Sequence, residues 1–447
     1  MRKIALLAVT FLALAPASAL AAAGGLDRSF SGNGRLAIQA VDDQASGSVE
    51  VSRLQPIAMA SAPGPESEIV AANNRRVLRY RANGRPRTQF GGNGRAAIPT
   101  AAGTTFQLAG LAVDSRGRVL VAGTTEPAAA GGSGSLQARV SVYRFLPNGR
   151  LDQNFGEGGV AGAALGPMEA TGLTVDSHDR AVLTGFAALT PSLCNTTPVF
   201  LNTTTVARLT PGGALDPSFG SGGTFTDALE DPQLPTPNGH GVVYVNRPEP
   251  RCVGVGAGEA PVASVLDPSG NLARRFPLSP DGSYEFLETA SVAVDTRNRI
   301  VVLMTRSNAE GGNFHQQVRR LLPNGSPDPD FGVNYGEAGV VSSPGPAGTR
   351  LGALTTDGRN RVILGGSAPL QEGRGFVVVR LNAAGRLQTW FGDEGATKAG
   401  FGRRATAMAS QVYRDSRGRI VLAGTVAAPW LSTGYGLAFA RFLSGGR

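Results

Sequence analysis

Cysteine, histidine and aromatic residues are all scarce in this 447-residue chain, and each scarcity excludes something. Two cysteines, Cys194 and Cys252, cannot build a disulfide framework or a four-thiolate metal site. The three histidines, His178, His240 and His315, have no second histidine or cysteine at ligand spacing, so neither a metal nor a cofactor is expected. Aromatics make up 6% of the residues, which leaves the core to Val, Leu, Ala and one recurring Phe. No apolar run reaches the roughly twenty residues that a spanning helix needs, so no integral membrane segment is expected. The formal charge of +9 is nearly all arginine but is spread along the chain, with only short pairs such as Arg75-Arg76 and Arg403-Arg404. Without a basic block, nucleic acid is not an expected partner.

What the chain has instead is glycine (62 residues) and proline (29), with only 17% charged residues. That balance suits many short strands joined by tight turns. The first residues are Met1-Arg2-Lys3, an apolar stretch from Ile4 to Ala15, Pro16, and small residues with Ala-x-Ala spacing up to Ala23. This pattern predicts a secretory leader over residues 1–23, cleaved between 19 and 23, and hence a secreted or periplasmic protein. Residues 24–447 are expected to form a single domain.

One phrase recurs through those residues: a strand ending in Arg-hydrophobic, a Pro/Asn/Gly turn, then Leu-Asp-x-x-Phe-Gly. The clearest copies run from Arg144 to Gly156 and from Arg208 to Gly220, and a worn one from Val265 to Phe276. The marker phenylalanines are Phe30, Phe90, Phe155, Phe219, Phe276, Phe331 and Phe391, spaced 55 to 65 residues apart. A second phrase lies between them: apolar alternation, Asp, a turn, Arg and an apolar run. Its charged pair is Asp114/Arg118, Asp176/Arg180, Asp295/Arg299, Asp357/Arg361 and Asp415/Arg419, and such pairs can bridge the two ends of a β-hairpin turn. Repeats one and four lack the pair. Each repeat supplies about four short strands, and the chain opens with Leu26-Asp27-Arg28-Ser29-Phe30 and stops after Arg441-Phe442, so its two ends make up one phrase. Complementary ends avoid an exposed strand edge, which predicts an all-β, seven-bladed β-propeller; an open β-solenoid is the rival. Blade phase and the identity of the innermost strand are not set by the pattern.

These phrases resemble the bacterial delta-60 repeat family, named for its period of about sixty residues and its Leu-Asp-x-x-Phe-Gly-x-x-Gly motif. The likeness departs in repeat four, where Asn271-Leu272-Ala273-Arg274-Arg275-Phe276 lacks both the Asp and the following Gly. The resemblance implies an exported propeller-like protein and carries no catalytic residues.

Residues repeated in every blade serve every blade, so function is sought where one blade departs from its siblings. By that rule Asp27, Asp152, Asp216 and Asp328 are expected to bond their own turns rather than a metal. There is no Gly-Lys-Ser/Thr phosphate loop, no Gly-x-Ser-x-Gly elbow, and no Trp completing a sialidase-type box. Strand parity puts the Asp-turn-Arg hairpins and the Leu-Asp-x-x-Phe links on one face and the most variable loops, 124–138, 186–205, 305–318 and 425–438, on the other. Phe314, His315, Trp430 and Tyr435 are the aromatic candidates for binding there, by stacking on sugars or peptides. Trp390, beside marker Phe391, is expected to pack within its blade. A Cys194–Cys252 disulfide is expected to tie neighbouring blades. The expected function is that of a monomeric, non-enzymatic binding or scaffold propeller recognising an extracellular or envelope polysaccharide or protein. A carbohydrate-active or lyase-type enzyme and a structural envelope protein are the alternatives.

Overall fold

The computed structural model describes residues 23–39, 58–61, 68–128, 137–194, 197–227, 230–238, 241–247, 261–278, 287–307, 314–332, 338–431 and 434–445. Residues 1–22 of the expected leader, Cys252 and parts of the variable loops lie outside them.

The described residues form the strands that the repeats call for, about four to each unit, and all pair antiparallel except at one point. Among the described residues the strands form five four-stranded sheets and one of eight. The larger sheet is joined at its middle by a single parallel pair, Arg374 with Thr406, and divides there into two four-stranded halves. The resulting units span residues 58–97 (unit 1), 104–161 (unit 2), 168–227 (unit 3), 230–277 (unit 4), 287–342 (unit 5) and 350–399 (unit 6). Unit 7 comprises residues 406–442 together with Arg35–Gln39. The protein is a β-propeller.

Unit 2 shows the plan. Its inner strand, Thr104–Val113, turns through Asp114 into Val119–Pro127; a third strand, Arg139–Phe145, carries the repeat arginine, and the fourth, Val160–Ala161, follows the Phe-Gly turn. The strand after the marker Phe is therefore the last of its unit. The inner strand is the one leading into the Asp turn, because each of these lies against the next around the ring: 104–113 on 168–175, and so on to 406–414, which returns to 58–61. Close approach to the inner strand explains the small residue that ends the second phrase. Gly123, Gly185, Gly366 and Gly424 each stand opposite a bulge in the inner strand, where an added Cβ would come within 1.9–2.2 Å of a backbone oxygen.

The apolar core lies between consecutive sheets. Seven apolar clusters are found among the described residues; one joins Val70, Val77 and Phe90 of unit 1 to Phe106, Val119 and Phe145 of unit 2, and another joins Phe30, Ile69 and Leu78 to Val421 and Phe439. All seven marker phenylalanines are buried. The ring is closed by the chain ends. Arg35–Gln39 pairs antiparallel with Tyr435–Phe442, Leu26 bridges Phe442, and backbone bonds run from Gly24 N to Leu443 O (2.8 Å) and from Leu443 N to Gly25 O (2.9 Å). No helix among the described residues is long and apolar enough to cross a membrane.

Candidate functional site

The hairpin face carries a buried ladder of charges. In unit 5, Asp295 Oδ1 accepts from the backbone N–H groups of Arg297 and Arg299, and its Oδ2 accepts from Arg299 Nε at 2.7 Å. Arg299 Nη1 then reaches Asp328 of the Leu-Asp-x-x-Phe link at 3.0 Å, and Arg320 Nε of the third strand meets the same Oδ2 at 2.8 Å. Arg320 Nη1 donates to the Ala383 carbonyl of unit 6, and its guanidinium lies 4.2 Å from the Phe331 ring centroid. Two arginines and two aspartates thus bond one another, the marker ring and the next unit. Such saturation is what a buried ion pair needs in order to offset desolvation. Burial pulls the Asp328 carboxyl upward, but the Asp330 N–H and the Arg320 and Arg299 charges outweigh it and hold the group below the usual carboxylate range.

The same quartet occurs in units 2, 3 and 7, where Asp152, Asp216 and Asp27 meet Arg144, Arg208 and Arg441 at 2.7–2.9 Å. Each of these link aspartates also accepts from the backbone N–H two residues on, as Asx turns do. The hairpin bridging expected from the Asp-x-x-x-Arg spacing is present in all five copies, at 2.6–2.7 Å. The contact between the hairpin arginine and the link aspartate, which the third-strand arginine shares, has no signal in the repeat spacing, because it joins residues from different phrases in three dimensions.

The remaining three units depart from the quartet in different ways. Unit 1 exchanges the signs: Glu68 stands where the hairpin arginine would be and Arg87 where the link aspartate would be, and Glu68 receives both Arg87 and Arg79, the latter at 2.7 Å. Unit 4 lacks both members, with Val265 and Ala273 in the places of arginine and aspartate. Unit 6 keeps the arginine, Arg380, and has lost only its acid, which Gln388 replaces. Arg380 is fully buried, donates through Nη1 to the Ser444 carbonyl, and has no hydrogen-bond partner at Nε or Nη2. Burial, reinforced by Arg361, pushes its pKa down to about 10. Trp390, expected inside the blade, is 46% exposed, with its ring centroid 5.0 Å from the Arg380 guanidinium. Aligning 380–391 on its siblings would have shown both substitutions. Comparison of the repeats as a consensus hides them.

A cavity of about 390 Å³ opens beside this arginine, between the hairpins of units 6 and 7. Arg359, Arg361, Arg414 and Arg417 line it, and its single carboxylate, Asp357, is bonded to Arg361 at 2.6 Å. The corresponding cavity between units 3 and 4, about 310 Å³, is balanced: Asp176 and Asp267 face Arg180 and Arg208.

On the opposite face a cleft of about 690 Å³ lies between units 5 and 6, bounded by the 343–350 connection and by Thr305 and Gln316. Gln316 staples its floor, donating to Leu351 O at 2.7 Å and accepting from Leu351 N at 2.6 Å. Phe314 and His315 begin the third strand of unit 5, immediately before Gln316, and His315 is exposed. Trp430 and Tyr435 belong to unit 7. Trp430 is 51% exposed and leans on the 400–405 connection beside Gly402, and Tyr435 begins the third strand, Tyr435–Phe442. The four candidates therefore share a face but form two pairs, with the 370–373 turn of unit 6 between them. Cys194 ends the strand Ala181–Cys194, and its pairing with Cys252 lies outside the described residues.

Residues 298–331, from the hairpin of unit 5 to its marker phenylalanine, match a family described as a domain of unknown function (DUF5122) beta-propeller. No curated protein matches the chain. Among solved structures, a protein of unknown function from Dyadobacter fermentans is similar at 10% identity, covering 78% of this chain and 97% of its own, with a TM-score of 0.44. A PL25 polysaccharide lyase, an ulvan lyase, is similar at 10% identity, covering 95% and 96%, with a TM-score of 0.45. The Penicillium chrysogenum alpha-L-arabinanase is similar at 12% identity, covering 88% and 94%, with a TM-score of 0.40. At the level the comparisons reach, the chain is an all-β propeller of repeated four-stranded sheets.

Proposed function

We propose that this protein is an exported propeller of the delta-60 repeat type that binds a polysaccharide or protein partner, without catalysis, on its variable-loop face. The observation that carries the reading is the 690 Å³ cleft between units 5 and 6, open on that face and set beside the exposed His315. A cleft on a rigid ring, rimmed by loops that differ from unit to unit, holds its shape while its lining varies. Trp430, half exposed on the same face, supplies a flat apolar surface of the kind on which sugar rings and peptide side chains stack. By contrast, the five hairpin aspartates and the four link aspartates of the opposite face are each held by arginine, which suits a frame better than proton transfer.

Glycan-array and envelope-fraction binding tests the reading. The native protein is expected to retain a ligand, and His315→Ala beside the cleft combined with Trp430→Ala, both at exposed side chains, to weaken that retention about tenfold or more. Absence of binding to every array and fraction, or retention unchanged in the double variant, would overturn it.

A further inference from the structure

Unit 6 is exceptional because its charge imbalance has no internal remedy among the described residues. In five sister units the buried third-strand arginine has a carboxylate oxygen on Nε, at 2.7–2.9 Å. In units 3 and 7 its Nη2 also donates at 3.0 Å, to the serine that precedes the marker phenylalanine. In unit 6 both acceptors have been replaced at once. Gln388 stands for the aspartate and Trp390 for the serine, and the two donors left without partners are Nε and Nη2. These are two adjacent N–H groups on one edge of a guanidinium, which is the edge that a carboxylate engages with both oxygens. Gln388 Oε1 likewise has no partner, so moving that side chain breaks no hydrogen bond at Oε1.

The position that the missing oxygen fills in the sister units lies between the third-strand and hairpin arginines, as Asp328 lies between Arg320 and Arg299. In unit 6 those two are Arg380 and Arg361. Arg361 lines the 390 Å³ cavity, as does Ser444, whose carbonyl receives Arg380. Arg359, Arg414 and Arg417 surround its mouth. Trp390 stands at the rim, where a Cβ on the cavity-lining Gly445 would lie 3.2 Å from its ring. The free edge of Arg380 is itself buried, so a ligand reaches it by displacing the Gln388 side chain, with the half-exposed indole offering an apolar face beside that entrance.

We propose that the junction of units 6 and 7 on the hairpin face is a binding site for an acidic saccharide, whose carboxylate takes the place of the absent aspartate between Arg380 and Arg361 while the sugar ring packs on Trp390. Arg359, Arg414 and Arg417 draw the anion in and fix its neighbouring groups. The site lies on the face opposite the variable loops and does not depend on the reading given for them.

Calorimetric titration at low ionic strength tests the assignment, with trigalacturonic acid, its fully methyl-esterified form and inorganic sulfate as probes. The native protein is expected to bind trigalacturonic acid and to lose most of that affinity for the ester. Gln388→Asp restores the sister arrangement, and is expected to raise Tm and to weaken trigalacturonic acid binding about tenfold or more, because an internal carboxylate then occupies the fork. Trp390→Ala is expected to weaken the saccharide and leave sulfate unchanged. No binding by the native protein, an unchanged Kd in Gln388→Asp, or equal binding of the ester would overturn the proposal. So would sulfate binding as tightly as the saccharide, which would mark a site for simple oxyanions.

Discussion

At the scale of single residues, the fold is held by a few carboxylates that each answer two arginines. Asp328 is buried and lies within 3.0 Å of both Arg299 and Arg320, so Asp328→Asn leaves two buried guanidinia facing a neutral amide. Breaking a buried pair in this way is expected to cost about 3–5 kcal/mol at neutral pH, measured as the shift in a urea unfolding midpoint. The pH dependence follows from the depressed carboxyl. A group titrating lower in the folded than in the unfolded chain contributes stability above its unfolded value of about 3.9 and loses it as pH falls through the folded value. The gap between native protein and Asp328→Asn should therefore stay constant from pH 7 to about pH 5 and narrow below about pH 4. A gap that does not narrow in acid would show that the amide fails for steric reasons.

At the scale of the element, the Asp-turn-Arg hairpin does two jobs. Its aspartate ties the turn, and in two copies the later residue that takes a left-handed backbone ties its turn to the turn of the preceding unit. That position holds Gly117, Asp179, Asn298, Asn360 and Gly418, with φ between 57° and 77°, all residue types that tolerate this region. Asn360 Oδ1 also accepts from Thr296 N (3.1 Å) and Oγ1 (2.7 Å) in the preceding unit, and Asp179 does the same for Ser115. Asn360→Gly keeps the turn but loses the tie, so a double-mutant cycle with Thr296→Val should give a coupling of about 1 kcal/mol. Additivity within about 0.3 kcal/mol would remove Asn360 from the list of inter-unit contacts. The turn itself was legible in the sequence, because spacing and residue type encode local hydrogen bonds. The tie to the neighbouring turn was not, since Asn360 and Thr296 are joined only by the stacking of one unit on another. Gln388 and Trp390 escaped for the related reason that their meaning depends on what sister residues do in three dimensions.

At the scale of the whole molecule, the complementary ends announced ring closure, and the last unit is indeed completed by the first described strand. Blade phase stayed open because a period fixes how often a pattern recurs and leaves unspecified where a sheet starts; contact between successive inner strands fixes the start. Removing residues 23–39 would strip Asp27 from Arg441 and bare the edge of Tyr435–Phe442. That truncation is expected to aggregate or to unfold well below the intact protein in a thermal melt. A circular permutant that links the present ends and opens in the 98–103 connection leaves every unit whole, and is expected to fold but to melt lower than the native chain. A permutant as stable as the native chain would mean that the strand shared between the ends adds nothing to closure.

That shared strand also sets the order of events in folding. Residues 35–39 find their partner some four hundred positions later, at 435–442. Six units can therefore assemble from neighbours in sequence while the seventh must wait for an encounter between residues some four hundred positions apart. The final step should be slow relative to the others, and until it occurs the molecule is an open arc with a bare strand at its last unit.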